Sequence, residues 1–177
     1  YANTLVLMTD GTVYGTGYNG TGVLGINGDT TDRNILTASS ALNTKFVVKL
    51  VCSAYNTVVL YSDGTMAGAG VGGNGQLILT NTTGKTVQSI DAGYAQTIVM
   101  MTDGTIYGTG YNDYGTLGTN DTVQRNGLTA IIPMTLETVA SIESESLLPS
   151  TILYNGASIF NVSASPFPTP LLSSYIS

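Results

Sequence analysis

Short apolar runs, each ending at an Asp-Gly pair, recur three times along the chain. The runs cover residues 5–8, 58–61 and 98–101, and each pair is followed by a second short strand-like run. Two such runs joined by Asp-Gly predict a β-hairpin, and we expect positive φ at both central residues of each turn. No segment shows sustained helical periodicity, and Thr, Val, Ile, Tyr and Gly dominate. The pattern therefore predicts an all-β fold.

The predicted hairpin turns share one chemistry, since a small polar residue precedes a glycine in each. A fourth, weaker copy has Asn-Gly, which supports the same kind of turn. The predicted turn residues are Asp10, Gly11, Asp63, Gly64, Asp103, Gly104, Asn155 and Gly156.

The marker glycines of the three clear copies are 53 and 40 residues apart. A unit of about 40–50 residues with several short strands is typical of propeller blades, which bury their apolar faces by stacking. We expect copies near residues 1–45, 46–84 and 85–135 and a degenerate copy at 136–162, which makes an incomplete ring of about three and a half blades. The chain is expected to start partway through a blade. The Pro/Ser-rich residues 163–177 are expected to form an extended tail.

The run DGTVYGTGYNGTGVLG resembles the repeat of the regulator of chromosome condensation family. The first and third copies carry the family's pattern of glycines in phase with apolar positions, and the second copy carries part of it. The resemblance implies a β-propeller of four-stranded blades, usually seven around an axis. The chain departs from the pattern in having fewer copies and in having Thr16, Ala69 and Thr109 where the family often has Trp. The matching residues are Asp10, Gly11, Val13, Tyr14, Gly17, Asn19, Gly22, Leu24 and Gly25, and in the third copy Asp103, Gly104, Ile106, Tyr107, Gly110, Asn112, Gly115, Leu117 and Gly118.

Charge and composition exclude several classes of function. Only 9 % of residues are charged, the net charge is −6, and the five Lys and Arg residues are dispersed. We therefore expect no nucleic-acid binding and no basic stripe for a membrane surface. No apolar run is long enough for a spanning helix, so no membrane insertion is expected. The chain has no His, and Cys52 is the one cysteine, which we expect to be buried in a strand.

The sequence predicts no cofactor, no metal and no catalytic residues. Gly15 to Gly20 fits G-x-G-x-x-G, but no helix pattern follows that could hold a pyrophosphate. The loop at residues 28–32 lacks the spaced carboxylates of a Ca²⁺ site. Asp10, Asp63 and Asp103 lie in separate turns, too far apart in a propeller for paired acid–base chemistry. The chain is therefore not expected to be an enzyme.

Two sets of residues are candidates for surface roles. Five tyrosines recur at equivalent places, and they are interpreted either as inter-blade packing or as a polar-aromatic binding face: Tyr14, Tyr18, Tyr107, Tyr111 and Tyr114. Four asparagines begin N-x-S/T sequences and are possible N-glycosylation sites: Asn19, Asn81, Asn120 and Asn161.

The leading hypothesis is a non-catalytic structural or interaction module that binds protein partners or further copies of itself. The low charge favours a packed assembly such as a virion or an extracellular surface layer over a cytoplasmic setting. The alternative is a regulatory protein for a small GTPase, of the guanine-nucleotide exchange type, which the resemblance alone implies.

Overall fold

The computed structural model describes residues 2–53, 55–81, 83–131, 139–143, 151–154 and 157–159. These residues form strands and turns and no helix, which confirms the all-β prediction. The strands are β1 (Asn3–Leu7), β2 (Val13–Gly17), β3 (Arg33–Ala38), β4 (Val47–Cys52), β5 (Asn56–Tyr61), β6 (Met66–Gly70), β7 (Val87–Ala92), β8 (Gln96–Met101), β9 (Ile106–Gly110), β10 (Arg125–Ala130), β11 (Val139–Glu143), β12 (Thr151–Tyr154) and β13 (Ala157–Ile159).

The strands form four antiparallel sheets, each made of consecutive strands. We call them the first blade (β1–β3), the second (β4–β6), the third (β7–β10) and the fourth (β11–β13). Only the third has four strands among the described residues. The predicted tail at 163–177 and the turn residues Asn155 and Gly156 lie outside the described residues.

We call β4, β7 and β11, the first strands of the second, third and fourth blades, the inner strands. The inner strands of neighbouring blades face one another, because β7 contacts both β4 and β11. Among the described residues, the first blade has no strand at this inner position, and the second has none at the outer position that β3 and β10 occupy. The described blades thus form an open arc of a propeller. The next strands out, β5 and β8, are buried at every residue, so the core lies between blades.

The first three blades are joined to one another by apolar packing and by threonines. Val58 of β5 packs in one cluster with Ile90 and Val99 of the third blade. The hydroxyl of Thr57 donates to the carbonyl of Val23 in the first blade at 2.8 Å, and the hydroxyl of Thr97 donates to the carbonyl of Gln76 in the second at 2.7 Å. The same contact therefore recurs at two successive blade junctions.

The Asp-Gly turns differ in geometry from the prediction. Gly11, Gly64 and Gly104 have φ near +80°, but the aspartates before them do not have positive φ. The Gly11 N–H donates to the carbonyl of Met8 at 3.0 Å, and the Met8 N–H donates to Thr12 at 2.8 Å. This is a three-residue loop with the glycine in the left-handed region. The aspartate instead caps the turn, since its carboxylate accepts the next threonine's N–H and hydroxyl.

The outer strands β3 and β10 were not predicted from the sequence. Each begins at an arginine that is paired with an aspartate four residues earlier, and the hydroxyls of Thr16 and Thr109 donate to the arginine carbonyls. The second blade has Ala69 at this position, and its described residues form no outer strand.

The prediction that Cys52 is buried is wrong, because it is exposed at the end of β4. In the part of the chain that the structure describes, no helix has the length and hydropathy to cross a membrane.

Candidate functional site at the tyrosine end of the blades

The blades have two distinct ends. The Asp-Gly turns form one end. At the other end, the turn between the inner strand and the following strand lies against the loop after the next strand. These are the β4–β5 turn and the loop after β6 in the second blade, and the β7–β8 turn and the loop after β9 in the third. The N–H groups of Val71 and Tyr111 donate to the carbonyls of Tyr55 and Ala95 in these turns, and the N–H of Tyr18 donates to the carbonyl of Ala2, just before β1, all at 2.8–2.9 Å. The loop at this end of each of the three blades is therefore held by an equivalent backbone hydrogen bond.

Glycine makes this close approach possible. Gly110 has a φ of +108°, and a Cβ atom added there would overlap the carbonyl oxygen of Ala95. Gly17 and Gly70 have the same left-handed backbone against Ala2 and Tyr55. The glycine pattern that resembled a nucleotide-binding loop thus serves strand-to-turn packing.

Five tyrosines lie at this end, which we call the tyrosine end: Tyr18, Tyr55, Tyr94, Tyr111 and Tyr114. Tyr55 and Tyr94 come from different blades, yet their ring centroids are 4.9 Å apart in an edge-to-face arrangement. Tyr111 and Tyr114 form a second such pair at 6.0 Å. Tyr94 is 43 % exposed and Tyr114 is 79 % exposed. Desolvation and a hydrogen bond with Asp113 raise the pKa of Tyr111.

The structure separates the five tyrosines predicted as one set. Tyr18, Tyr111 and Tyr114 lie in loops of the tyrosine end. Tyr14 and Tyr107 are the second residues of β2 and β9, nearer the Asp-Gly end. Tyr107 packs against the core cluster, with the Lys85 ammonium 5.8 Å from its ring centroid.

Sequence reasoning missed Tyr55 and Tyr94. Both lie in the turn between the inner strand and the next strand, but they are not aligned letter for letter in the two repeats. Their proximity arises only when the blades stack, so no local signal could have identified them as a pair.

Charged side chains brace the loops of this end. Asp29 pairs with Arg33, and Asp121 pairs with Arg125, each at 2.6 Å. The hydrogen bond from the Thr31 backbone, followed by that from Arg33, lowers the pKa of Asp29 to about 2. Among the described residues, no group of three or more acidic or Cys side chains is placed to hold a metal ion.

Two buried asparagines hold the same loops from within. The Asn19 side chain accepts the Leu24 N–H at 2.9 Å and donates to the Asp29 carbonyl at 2.7 Å. Asn112 accepts the Leu117 N–H at 2.8 Å and donates to the Asp121 carbonyl at 3.0 Å. Both asparagines are fully buried.

Burial bears on the possible glycosylation sites. The folded structure does not expose Asn19, whose amide nitrogen is occupied inside the loop. Asn81 is half-buried and donates to the Lys85 carbonyl at 2.8 Å. Asn120 is exposed, and Asn161 lies outside the described residues. Asn120 is thus the accessible acceptor among the three that the structure describes.

The Asp-Gly end contains ion pairs rather than a paired acid and base. Asp63 pairs with Lys45 at 2.6 Å, and Asp103 pairs with Lys85 at 2.8 Å. The lysine hydrogen bond, followed by those from the next threonine, lowers the pKa of each aspartate. Each carboxylate is therefore committed to its own blade's turn.

Comparison with known proteins identifies the repeat. The profile of the regulator of chromosome condensation (RCC1) repeat matches residues 87–116, which begin at β7 and include β8 and β9.

Three solved structures have a similar fold. Human WBSCR16 is 20 % identical with a TM-score of 0.74, over 86 % of this chain and 43 % of that protein. Prp20p from Saccharomyces cerevisiae, whose structure was described with its binding to Gsp1p and histones, is 11 % identical with a TM-score of 0.71, over 81 % of this chain and 40 % of that protein. A second structure of the yeast protein, bound to Kap60, has a TM-score of 0.69 at 16 % identity, over 85 % of this chain and 39 % of that protein.

This chain spans less than half the length of each of these proteins. It contains a repeat of the regulator of chromosome condensation type and has the fold of a partial RCC1-like β-propeller.

Proposed function

We propose that this protein is a non-catalytic interaction module that binds protein partners through the tyrosine end of its blades. The observation that carries the proposal is the set of paired, partly exposed tyrosines held there by fixed backbone contacts. Tyrosine supplies a large contact area and a polar hydroxyl, and it has few rotatable bonds to immobilise on binding.

The scaffold suits such a role. The loops that carry Tyr18 and Tyr111 are tied to neighbouring turns by backbone hydrogen bonds, and buried asparagines brace them. A partner therefore meets a preorganised surface and spends little free energy on ordering it.

Composition supports a place in a larger assembly. Charged residues make up 9 % of the chain, against about 25 % in typical soluble domains, so neighbouring copies or partners repel one another little. A virion or an extracellular surface layer is the setting we propose for this assembly, with Asn120 as the glycan acceptor if the protein is secreted.

Site-specific photo-crosslinking in the native source tests the binding surface. A photoreactive phenylalanine derivative is placed at Tyr94 or Tyr114, and at Ile35 as the control. Ile35 is 69 % exposed on the outer strand β3 and does not belong to the tyrosine end. We expect one adduct of defined mass from positions 94 and 114 and none from 35. Equal labelling at all three positions, or none at any, contradicts the proposal.

The alternative is a regulatory protein that accelerates nucleotide exchange on a small GTPase. It is supported by the similar fold of Prp20p, a protein described with its binding to Gsp1p. An exchange assay with candidate GTPases separates the two functions. Absence of acceleration at micromolar protein eliminates the alternative and leaves the binding proposal intact.

A further inference from the structure

The second blade ends at β6, whereas the first and third blades each have a further strand beside the equivalent one. The connection from β6 to β7 lies wholly inside the chain and is described at every residue except 82, and it forms turns and bends. One edge of β6 is therefore unpaired among the described residues. The strand, Met-Ala-Gly-Ala-Gly, is paired with β5 without a bulge and has no charge and no proline, which are the features that usually protect an open edge.

The ladder between β5 and β6 shows which groups the open edge offers. The Tyr61 N–H donates to the Thr65 carbonyl, so Thr65 is bonded toward β5. Alternation along an antiparallel ladder then points the N–H and carbonyl groups of Met66 and Gly68 outward. No described residue forms a hydrogen bond with these outward groups.

The first blade shows what satisfies the same groups. There Val13 holds the position of Met66, and its N–H donates to Oδ1 of Asn43 at 2.7 Å. Its carbonyl accepts the Asn43 side-chain amide and the Ser39 N–H, each at 2.9 Å. The position therefore takes a donor and an acceptor together, which is what the backbone of an extended polypeptide supplies.

A cavity of about 580 Å³ borders the open edge. This volume lies in the range of about 300–1,000 Å³ that is usual for ligand sites. Its lining includes residues 63–68, Leu77, Leu79, Thr80 and residues 85–87. An extended segment paired with β6 therefore has space beside the edge.

Charge restricts the segment that fits. The charged residues of the lining, Asp63 and Lys85, are already paired with Lys45 and Asp103 at 2.6 Å and 2.8 Å. A further charge brought into the cavity would lose solvent without gaining a free partner. The matching segment is therefore uncharged.

Leu79 restricts the size of one side chain in that segment. Its Cδ1 lies 3.3 Å from the point where a Cβ of Gly68 would be, and Cδ1 of Ile131 lies 3.5 Å from the equivalent point at Gly108. Ile131 directly follows β10, so Leu79 already fills the place that this side chain takes in the third blade. A segment bound to β6 needs a small residue there, as Ser39 is in the first blade.

We propose that the open edge of β6 binds an extended, uncharged segment of a partner polypeptide as a fourth, antiparallel strand. The segment has the pattern Thr-Ala-Ser and takes the register that residues 37–39 have on β2. Its threonine pairs with Gly68, and its serine N–H donates to the Met66 carbonyl. Backbone hydrogen bonds supply the affinity, and the small side chains supply the selectivity.

A second copy of the chain is a poorer occupant. Its two Thr-Ala sequences lie in β3 and β10, where Thr37 is paired with Gly15 and Thr129 with Gly108. The backbone groups of these threonines therefore already face β2 and β9, and a second copy would have to open a blade to present them. The tyrosine end takes no part in this site, so either proposal can fail alone.

A capped peptide with the sequence of residues 34–40, NILTASS, is the probe. Its binding to the full 177-residue chain is measured by NMR titration, and hydrogen exchange locates it. We expect the amides of Met66 and Gly68 to become protected. Those of Ala67 and Ala69, which face β5, should change little.

Methylation of single peptide nitrogens tests the register. A methyl group on the threonine nitrogen removes the N–H that would donate to the Gly68 carbonyl, so affinity should fall about tenfold. A methyl group on the alanine nitrogen, which points away from β6, should leave affinity unchanged. The Ser39→Ile peptide should bind more weakly than the parent, because Leu79 fills the place of a larger side chain.

Thr80→Trp tests the cavity from the side of the protein. Thr80 is exposed and lines the cavity, so a tryptophan there should block the segment without disturbing the core. The matched control is Thr122→Trp, at an exposed residue outside this cavity, and it should keep the affinity of the unmodified chain.

Four results overturn the proposal. The first is no protection of the Met66 and Gly68 amides at saturating peptide. The second is equal affinity of the two methylated peptides. The third is undiminished binding to Thr80→Trp. The fourth is protection of the same amides without peptide, which assigns the edge to the chain itself or to a second copy.

Discussion

The rings of Tyr55 and Tyr94 pack edge to face with centroids 4.9 Å apart, although the residues belong to different blades. Each lies in the turn between an inner strand and the next strand. Their contact therefore reports both on the stacking of the second and third blades and on the surface that we propose binds partners.

The threonine contact between blades should contribute measurably to stability. Thr97→Val keeps the side-chain shape but removes the hydroxyl that donates to Gln76 in the preceding blade. Loss of this buried hydrogen bond should lower the free energy of unfolding by about 1–3 kcal/mol. Urea denaturation measures the change.

Thr4→Val is the matched control, because Thr4 holds the equivalent position in the first blade but is exposed. Its effect should stay within about 0.5 kcal/mol. Equal losses for the two variants would show that Thr97 does not act by joining blades.

The buried asparagine brace gives a second prediction. Asn112→Ala leaves the Leu117 N–H and the Asp121 carbonyl without their partner, so the unfolding free energy should fall by about 1–3 kcal/mol. Asn126→Ala, at an exposed residue of β10, should cost no more than about 0.5 kcal/mol. Thermal unfolding followed by circular dichroism compares the pair, and equal shifts would refute the brace.

The hairpins of the repeat could be predicted from the sequence, because a short apolar run followed by an Asp-Gly pair is a local signal. The outer strands β3 and β10 could have been found as well, since Arg-Asn-x-Leu-Thr-Ala occurs at 33–38 and at 125–130. The spacing of 40 residues between Gly64 and Gly104, against 53 between Gly11 and Gly64, is consistent with the three strands described in the second blade. The geometry of the Asp-Gly turns could not be predicted as well, because an aspartate can cap a turn with its side chain without adopting a positive φ.

Close backbone approach at the tyrosine end gives a third prediction. Gly110→Ala combines left-handed strain with overlap of the Ala95 carbonyl. Gly115→Ala has similar strain at a φ of +72°, but its nearest neighbour is 3.7 Å away. The control should lose about 1–2 kcal/mol of unfolding free energy, and Gly110→Ala should lose about 1–3 kcal/mol more. Comparable urea midpoints for the two variants would contradict the close approach.

Acid should weaken the Asp-Gly end. The lysine and threonine contacts lower the pKa of Asp63 and Asp103 from the usual 3.8. Their contribution to stability is therefore present above about pH 4 and is lost as the pH falls through the lowered values. Denaturation midpoints measured from pH 7 to pH 2 should fall less steeply in the double variant Asp63→Asn and Asp103→Asn. An unchanged pH dependence would show that these pairs do not stabilise the fold.

The candidate site was only partly predictable. Tyr18, Tyr111 and Tyr114 could be identified because they follow the glycine bends of the repeat. Tyr55 and Tyr94 could not, because their proximity depends on the distance between two blades. Asn19 fits a glycosylation sequence, and only its three-dimensional burial shows that its side chain is occupied.

The most direct test of the stacked-blade account is a nuclear Overhauser measurement between the ring protons of Tyr55 and Tyr94 in the folded chain. Stacked blades predict cross-peaks between these rings, since their centroids are 4.9 Å apart. A well-folded protein with assigned ring resonances and no cross-peak between them would contradict the account, because the second and third repeats would then not lie side by side.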